Sequence, residues 1–407
     1  MSIYATSLHV TISGTDINNG EAMTDELDDN HDMANDMEED DSDYVYFGLP
    51  ECVCEYCGAK MWYDERVEKF RESTVPTFSM CCKQGRILIA PWPDLPEPLH
   101  DLYYKNDRKS KIFMEDIRSF NSMFSFTSMG GDTNNTMNNG KAPPVFIMNG
   151  ENYHQIGSLL PQEGKDPKFA QLYIYDTDNE IKNRMTALGM VDDNDHLKST
   201  LVNDLRQILD DYNPYVKTYR TIRDKLKESH APTIKLRLLG KRNRDGRRYN
   251  LPTASEVAAL IVGDFDSSDF GRDIVVEEKS GLLRRLSPFE PLYFPLQYPL
   301  LFPRGEDGYR TDIEYNDEAS TSLKRNHVTH KEWIAYRLQQ REINQSTIVF
   351  SRRLFQQFLV DCYSMIEYLR LKWYRDHQKD VRADMYKGLR EAILRGCNGN
   401  LWMDWLS

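Results

Sequence analysis

Lysine and arginine are missing from the first 43 residues of this 407-residue chain, although 51 of them occur overall. Thirteen acids fall between Asp16 and Asp43 instead, so the formal charge of −13 resides in this leader and the remainder balances 51 acids against 51 bases. Like-charge repulsion and few aromatics exclude a packed core there, so residues 1–43 are expected to form a disordered acidic tail. Such a tail either keeps the chain soluble or covers a basic surface until nucleic acid displaces it. Also lacking are a basic, long apolar signal segment and any apolar run able to span a bilayer, the longest lying near Val257–Val262. The expectation is an intracellular protein with no membrane partner, in which the sequons at Asn134 and Asn344 carry no weight. Seven cysteines in such a chain indicate thiols or metal ligands before disulfides.

Five of those cysteines are concentrated in residues 52–82. Cys54 and Cys57 have the C-x2-C spacing, with Gly58 behind them to permit a tight turn. A second pair, Cys81 and Cys82, follows after 23 intervening residues and is trailed by Gly85. Tetrahedral Zn²⁺ takes four soft ligands at about 2.3 Å, and the proposed set is Cys54, Cys57, Cys81 and Cys82, with Cys52 as the replacement should adjacent side chains diverge. The ion would be structural, since no histidine or carboxylate stands at a spacing that completes an open catalytic site. The competing reading leaves Cys82 as a small packed hydrophobe.

A phosphate-binding loop is absent as well. "NNGKA" comes nearest, but Asn135 holds the position of the first glycine and Ala142 replaces the magnesium-binding hydroxyl. "VFIM" and "AQLYIYD", bounded by Gly, Pro and Asn, read as strands, and His154 as a hydrogen-bonding structural histidine. Helices are expected near Leu197–Asp211 and from Pro214, capped by Asn213. The stretch 233–287 reads as largely β, with Asp245-Gly246 as a hairpin tip carrying Lys241, Arg242, Arg244, Arg247 and Arg248. Those bases either grip phosphates or protect a sheet edge from aggregation.

"FPLQYPLLFPRGEDGYR" places Pro295, Pro299 and Pro303 among aromatics and leucines. It reads as neither helix nor central strand but as a stiff, polyproline-like connector. Beyond it the pattern turns helical. Phe355, Phe358, Leu359, Cys362, Ile366, Leu369 and Trp373 form a stripe that should be buried, Cys362 within it as a structural thiol, and a third helix is expected near Val381–Arg395. Thirteen bases against eight acids between Lys331 and Arg395, among them Arg352, Arg353, Arg370, Lys372 and Arg375, suit nucleic-acid contact.

The fold class expected is therefore α+β and multi-domain. An acidic tail (1–43) precedes a zinc module (44–100), a mixed α+β module (101–195), a helical pair with a β-rich region and proline-rich connector (196–320), and a helical end (321–407).

The succession "CEYCGAKMWYDER…FSMCCKQGRI", "IRSFNSMFSFTSMGG", "YHQIGSLLP", "PKFAQLYIYDTDNEIKNRM", "FPLQYPLLFPRGEDGY" and "RRLFQQFLVDCYSMIEYLRLKWYRDHQKDVRADMYKGL" resembles, over roughly residues 44–395, the amino-terminal part of Helitron transposon proteins. That family joins a Rep-type nuclease with a His-hydrophobe-His site to a superfamily 1 helicase. The resemblance implies DNA as partner, the nucleus as location and contact with the family's nuclease and helicase parts. Neither catalytic motif is found here: His327 and His330 are one residue too far apart and no Walker A motif occurs. The expectation is a truncated, non-catalytic fragment needing no nucleotide, its helicase-like part running from about His330 to Arg395 before "GCNGNLWMDWLS" departs from the family pattern. It would bind DNA through its basic residues or survive only as a protein-interaction remnant.

Overall fold

Three prolines expected in a connector lie instead at the centre of the fold. The computed structural model describes residues 48–67, 75–134, 146–149, 152–189, 196–227, 234–239, 245, 247–248, 251–253, 258–262, 274–277, 283–316, 326–341 and 347–381. The acidic tail, the NNGKA loop, Lys241, Arg242, Arg244 and the third C-terminal helix past Val381 lie outside these residues.

The described residues are mostly helical, with small antiparallel sheets. In chain order the elements are β1 (Cys52–Val53), β2 (Lys60–Met61), α1 (Glu97–Tyr104), α2 (Arg108–Glu115), α3 (Ile117–Phe124), β3 (Ser128–Met129), β4 (Asp132–Asn134), β5 (Ile147–Asn149) and β6 (His154–Ile156). Then follow α4 (Glu180–Thr186), α5 (His196–Tyr212), α6 (Pro214–Leu226), β7 (Ile234–Leu238), β8 (Ala258–Val262), β9 (Ile274–Glu277), β10 (Arg284–Arg285), α7 (Tyr293–Gln297), α8 (His330–Leu338), α9 (Thr347–Phe350) and α10 (Arg353–Asp376). Strand β7 is the centre of a three-stranded sheet, with Leu236 opposite Leu260 of β8 and Val276 of β9. A second sheet has the order β10-β6-β3.

Residues 291–303 are buried throughout. Pro295 sits in the first turn of α7, where a helix leaves its amides unbonded and a missing N–H costs nothing, so the segment starts as a helical turn and continues in tight turns rather than as a polyproline rod. Its polar groups are met from distant parts of the chain. Phe126 N donates to Leu296 O at 2.8 Å, Asn121 Nδ2 to Gln297 O at 2.9 Å, Thr127 Oγ1 to Gln297 Oε1 at 2.7 Å and Tyr103 Oη to Leu300 O at 3.3 Å. Phe294 stacks on Trp333 and packs on Phe358, joining α7 to α8 and α10. Each such side chain removed from water contributes about 1.5–3 kcal/mol.

Beside this spine is a buried carboxylate. Asp361 on α10 accepts from Tyr298 Oη at 2.9 Å and Asn152 Nδ2 at 2.9 Å, and meets His154 Nε2 at 2.8 Å. The opposite ring nitrogen of His154 faces Tyr293 O at 3.2 Å, and the imidazole stacks on the Tyr293 ring at 3.8 Å. His154 is thus a hydrogen-bonded histidine of the interior, inaccessible to solvent.

The helical pair forms as its sequence indicates. Asn213 Oδ1 caps α6 by accepting from Tyr215 N at 3.0 Å and Val216 N at 3.3 Å, with Pro214 in the first helical position. Arg220 of α6 reaches back to Asp210 of α5 at 2.8 Å and to Glu180 of α4 at 2.8 Å. Glu180 also holds Arg184 at 2.7 Å, whose guanidinium lies fully buried between the rings of Phe124 and Tyr173.

Other expectations are corrected. "AQLYIYD" lies not in a strand but across a 3-10 turn, Phe169–Tyr173. Tertiary bonds override its β propensity: Tyr173 Oη donates to Phe124 O at 2.6 Å and Arg220 Nη1 to Tyr173 O at 2.9 Å. Strands β7 and β8 pair antiparallel with Leu238 opposite Ala258, and Gly246 of the expected hairpin tip lies outside the described residues. The α10 stripe is buried at Phe355, Phe358 and Cys362, but Leu369 is only partly covered and Trp373 is 51% exposed.

Replacing Asp361 by Ala removes the common acceptor of His154, Tyr298 and Asn152. Chemical unfolding should show a loss of about 3–5 kcal/mol, while Trp373→Ala on the same helix should stay within about 0.5 kcal/mol.

Candidate metal centre

The β1–β2 hairpin exists to turn two thiols inward. Cys54 N donates to Ala59 O at 2.9 Å and Gly58 N returns to Cys54 O at 2.8 Å, a turn that Gly58 closes with φ +69°. The second half is a matching turn: Lys83 N donates to Ser79 O at 2.8 Å and Ile87 N to Cys82 O at 2.9 Å, with Lys83, Gln84 and Gly85 all at positive φ. Gly85 is required at its position, since a Cβ there would lie 2.8 Å from the Tyr56 ring.

These two turns bring the sulfurs of Cys54, Cys57, Cys81 and Cys82 within 4.8 Å of one another, a cluster that can hold a zinc ion. Cys82 Sγ is 3.8 Å from both Cys54 Sγ and Cys81 Sγ, too far for a disulfide. A tetrahedron with zinc–sulfur bonds of about 2.3 Å has edges of about 3.8 Å, so the spacing is that of thiolates around one ion. Cys52 is outside the cluster, opposite Met61 in the hairpin.

Electrostatics favour the same occupant. Hydrogen bonding from Cys81 and Cys82, with the Arg341 guanidinium adding to it, holds the Cys57 thiol low. The converse bond from Cys57 pushes Cys81 up and Cys82 to about 12. Four neighbouring thiols cannot all ionise against one another; a dication removes that repulsion.

Arg341 ties the centre to the body. Its Nε donates to Cys57 O at 3.0 Å and its Nη2 lies 3.6 Å from Cys57 Sγ, while Lys60 N donates to Gln340 O at 2.9 Å. Glu332 opens α8 in a capping box with Thr329 and bonds Lys83 and Tyr315 Oη. Burial opposes its charge, but the Lys83 ammonium, the Thr329 amide and the Tyr315 hydroxyl outweigh that and hold it at about 2.

Of the bases singled out in the sequence, Arg247 and Arg248 lie in a turn built on Asp245, which accepts from Arg247 N at 2.9 Å and pairs with the Arg247 guanidinium at 3.0 Å. Arg247 O in turn accepts from Ala90 N at 2.7 Å, fastening this turn to the segment that follows the cysteine cluster. Arg352 and Arg353 are exposed at the start of α10, Lys372 and Arg375 at its end. Sequence reasoning missed Arg341, Glu332 and Arg118, the last held near Arg353 and its pKa lowered by burial and by that neighbouring charge. A second group, Glu97, His100 and Asp101 on α1, is solvent-facing.

Four thiols gathered by two turns, on a mainly helical body with small antiparallel sheets, form a cluster that could hold a metal ion. Residues 333–401 match the family described as the Helitron helicase-like domain at the N-terminus. The match starts within α8, takes in α9 and α10, and runs six residues past Arg395, so part of the stretch expected to depart from the family lies within it. Comparison with curated proteins finds no match. Among the described residues no helix is long and apolar enough to cross a membrane.

Glu332 is depressed from an unfolded value of about 4.3, so its contribution is complete above that pH and is lost as pH falls through about 2. Acid titration of unfolding should show this loss, and Glu332→Gln should flatten it while costing about 1–3 kcal/mol near neutrality.

Proposed function

We propose that this chain is a DNA-binding region of a Helitron-type transposition protein, gripping phosphates with exposed bases on a scaffold held by structural zinc. The observation that carries the reading is the placement of charge on α10, within the family's domain. Arg353 and Arg375 are 22 residues apart, which is about 33 Å along a helix and within about 40° around it. One face of a rigid rod thus presents cations at both ends, about the length of one turn of duplex. Arg118 beside Arg353 adds like charge that an anion would relieve. Arg247 and Arg248, with the nearby bases Lys241, Arg242 and Arg244 of the sequence, extend the set. Contacts of this kind position nucleic acid with little base readout.

Zinc belongs to the same reading, with Cys54, Cys57, Cys81 and Cys82 as ligands. When bound it closes two turns around one ion and fixes the module that Arg341 and Glu332 join to α8. The purified chain should carry one equivalent of zinc by metal analysis, and Cys81→Ser should lose it and lower the melting temperature; a stoichiometry near zero would contradict the assignment.

Anisotropy with labelled DNA over a salt series tests the binding. The affinity should fall with salt by a log–log slope of about 0.7–0.9 per phosphate contacted, and Arg353→Ala/Arg375→Ala should lessen that slope by about two contacts with zinc retained. Salt-independent binding, or an unchanged slope in the double variant, would refute it.

A further inference from the structure

One of the four clustered thiols is placed differently from the rest. Cys54, Cys81 and Cys82 are buried, whereas Cys57 is partly exposed at the turn that Gly58 closes. A small oxidant dissolved in water therefore meets Cys57 first. The Arg341 guanidinium lies 3.6 Å from the Cys57 sulfur and puts positive charge beside it, and a thiol that is partly exposed in an electropositive setting is the reactive kind. Cys362 gives the contrast, since it is closed inside α10 and burial pushes its thiol up. Cys52 is also partly exposed, but it is outside the cluster.

Cys57 also has thiols at hand to complete a bond. All four sulfurs lie within 4.8 Å of one another, and Cys81 and Cys82 hydrogen-bond to Cys57, so a disulfide of about 2.05 Å needs only a short approach. We propose that Cys57 is a redox modification site, oxidised by hydrogen peroxide and resolved as a disulfide by Cys81 or Cys82, with loss of the ion. The Cys57 thiolate attacks the O–O bond, keeps one oxygen as a sulfenic acid and releases the other as hydroxide. The Cys81 or Cys82 thiolate then attacks the Cys57 sulfur, forms the S–S bond and expels the second hydroxide. Two protons convert both hydroxides to water, and the peroxide has taken up the two electrons. Two thiolates are thereby withdrawn, and the pair that remains is too few for a closed site. Both halves of the cluster are tied to α8, the first by Lys60 N to Gln340 O and Arg341 Nε to Cys57 O, the second by Lys83 to Glu332, so the change bears on that helix. The inference rests on the zinc reading for the ion that is released.

The test treats the full zinc-loaded chain with hydrogen peroxide, follows zinc with a chromogenic chelator and maps the cysteines by peptide mass, with and without dimedone to trap sulfenic acid. Dimedone should label Cys57 ahead of Cys52 and Cys362. Without it, Cys57 should be cross-linked to the peptide carrying Cys81 and Cys82, with one zinc released per cross-link and recovered binding after a thiol reductant and added zinc. Because Cys57→Ser also removes a ligand, the companion variant is Cys52→Ser, which spares the cluster and should release zinc at an unchanged rate. Zinc release with Cys57 still reduced, or Cys57 unmodified after Cys52 has reacted fully, would overturn the proposal. Zinc release that Cys52→Ser abolishes would overturn it too. A chain that holds no zinc before oxidation counts against the zinc reading, and the presence or absence of the Cys57 cross-link still decides this one.

Discussion

The structure depends on the complete burial of one proline-punctuated segment. Residues 291–303 cannot form a continuous ladder of their own, because Pro291, Pro295, Pro299 and Pro303 remove four donors. Several of their amides bond within the segment's own turns, and groups left over are met by other parts of the chain, since an unpaired buried group costs about 1–3 kcal/mol. Asn121, Thr127, Phe126 and Tyr103 supply those partners from the α1–α3 region, and Asp361 supplies the acceptor for Tyr298 from α10. Helices that are far apart in sequence thereby acquire one common core, and Gly48–Ser407 group into one contact unit.

Around that core, charge has been sorted. Buried ions are met by specific partners, as in Arg184 with Glu180 and Asp361 with His154. In the cysteine module Lys83 meets Glu332 and Arg86 lies over Tyr315, while Arg66 lies over Tyr63 and pairs with Asp64. Exposed cations are found at the two ends of α10 instead. The cysteine cluster is held at a fixed place relative to α8 by Arg341 and by the Lys83–Glu332 pair.

Local signals were legible in the sequence. Asn213-Pro214 marked a helix start because a cap and a preset φ act within one turn, and cysteine spacing with a trailing glycine marked the two turns that gather the sulfurs. Whether Cys52 or Cys82 completed the group was not legible, because it depends on which way each strand residue faces in the hairpin. Long-range constraints were hidden. His154 and Asp361 are 207 positions apart, and Asn121 and Gln297 176 apart, so nothing local announces that the proline segment is a core. "AQLYIYD" misled for the same reason: its aromatic content serves contacts to Phe124 and Arg220 rather than a sheet. Trp373 kept its helical period after the core beneath it had ended.

Hydrogen exchange across residues 292–302 measures the central claim most directly. The amides of Leu296, Tyr298, Leu301 and Phe302 are bonded within the segment and shielded by α3 and α10, so they should exchange only with global unfolding, together with those near Phe358. Exchange at the rate of an exposed linker, well ahead of α10, would contradict the account.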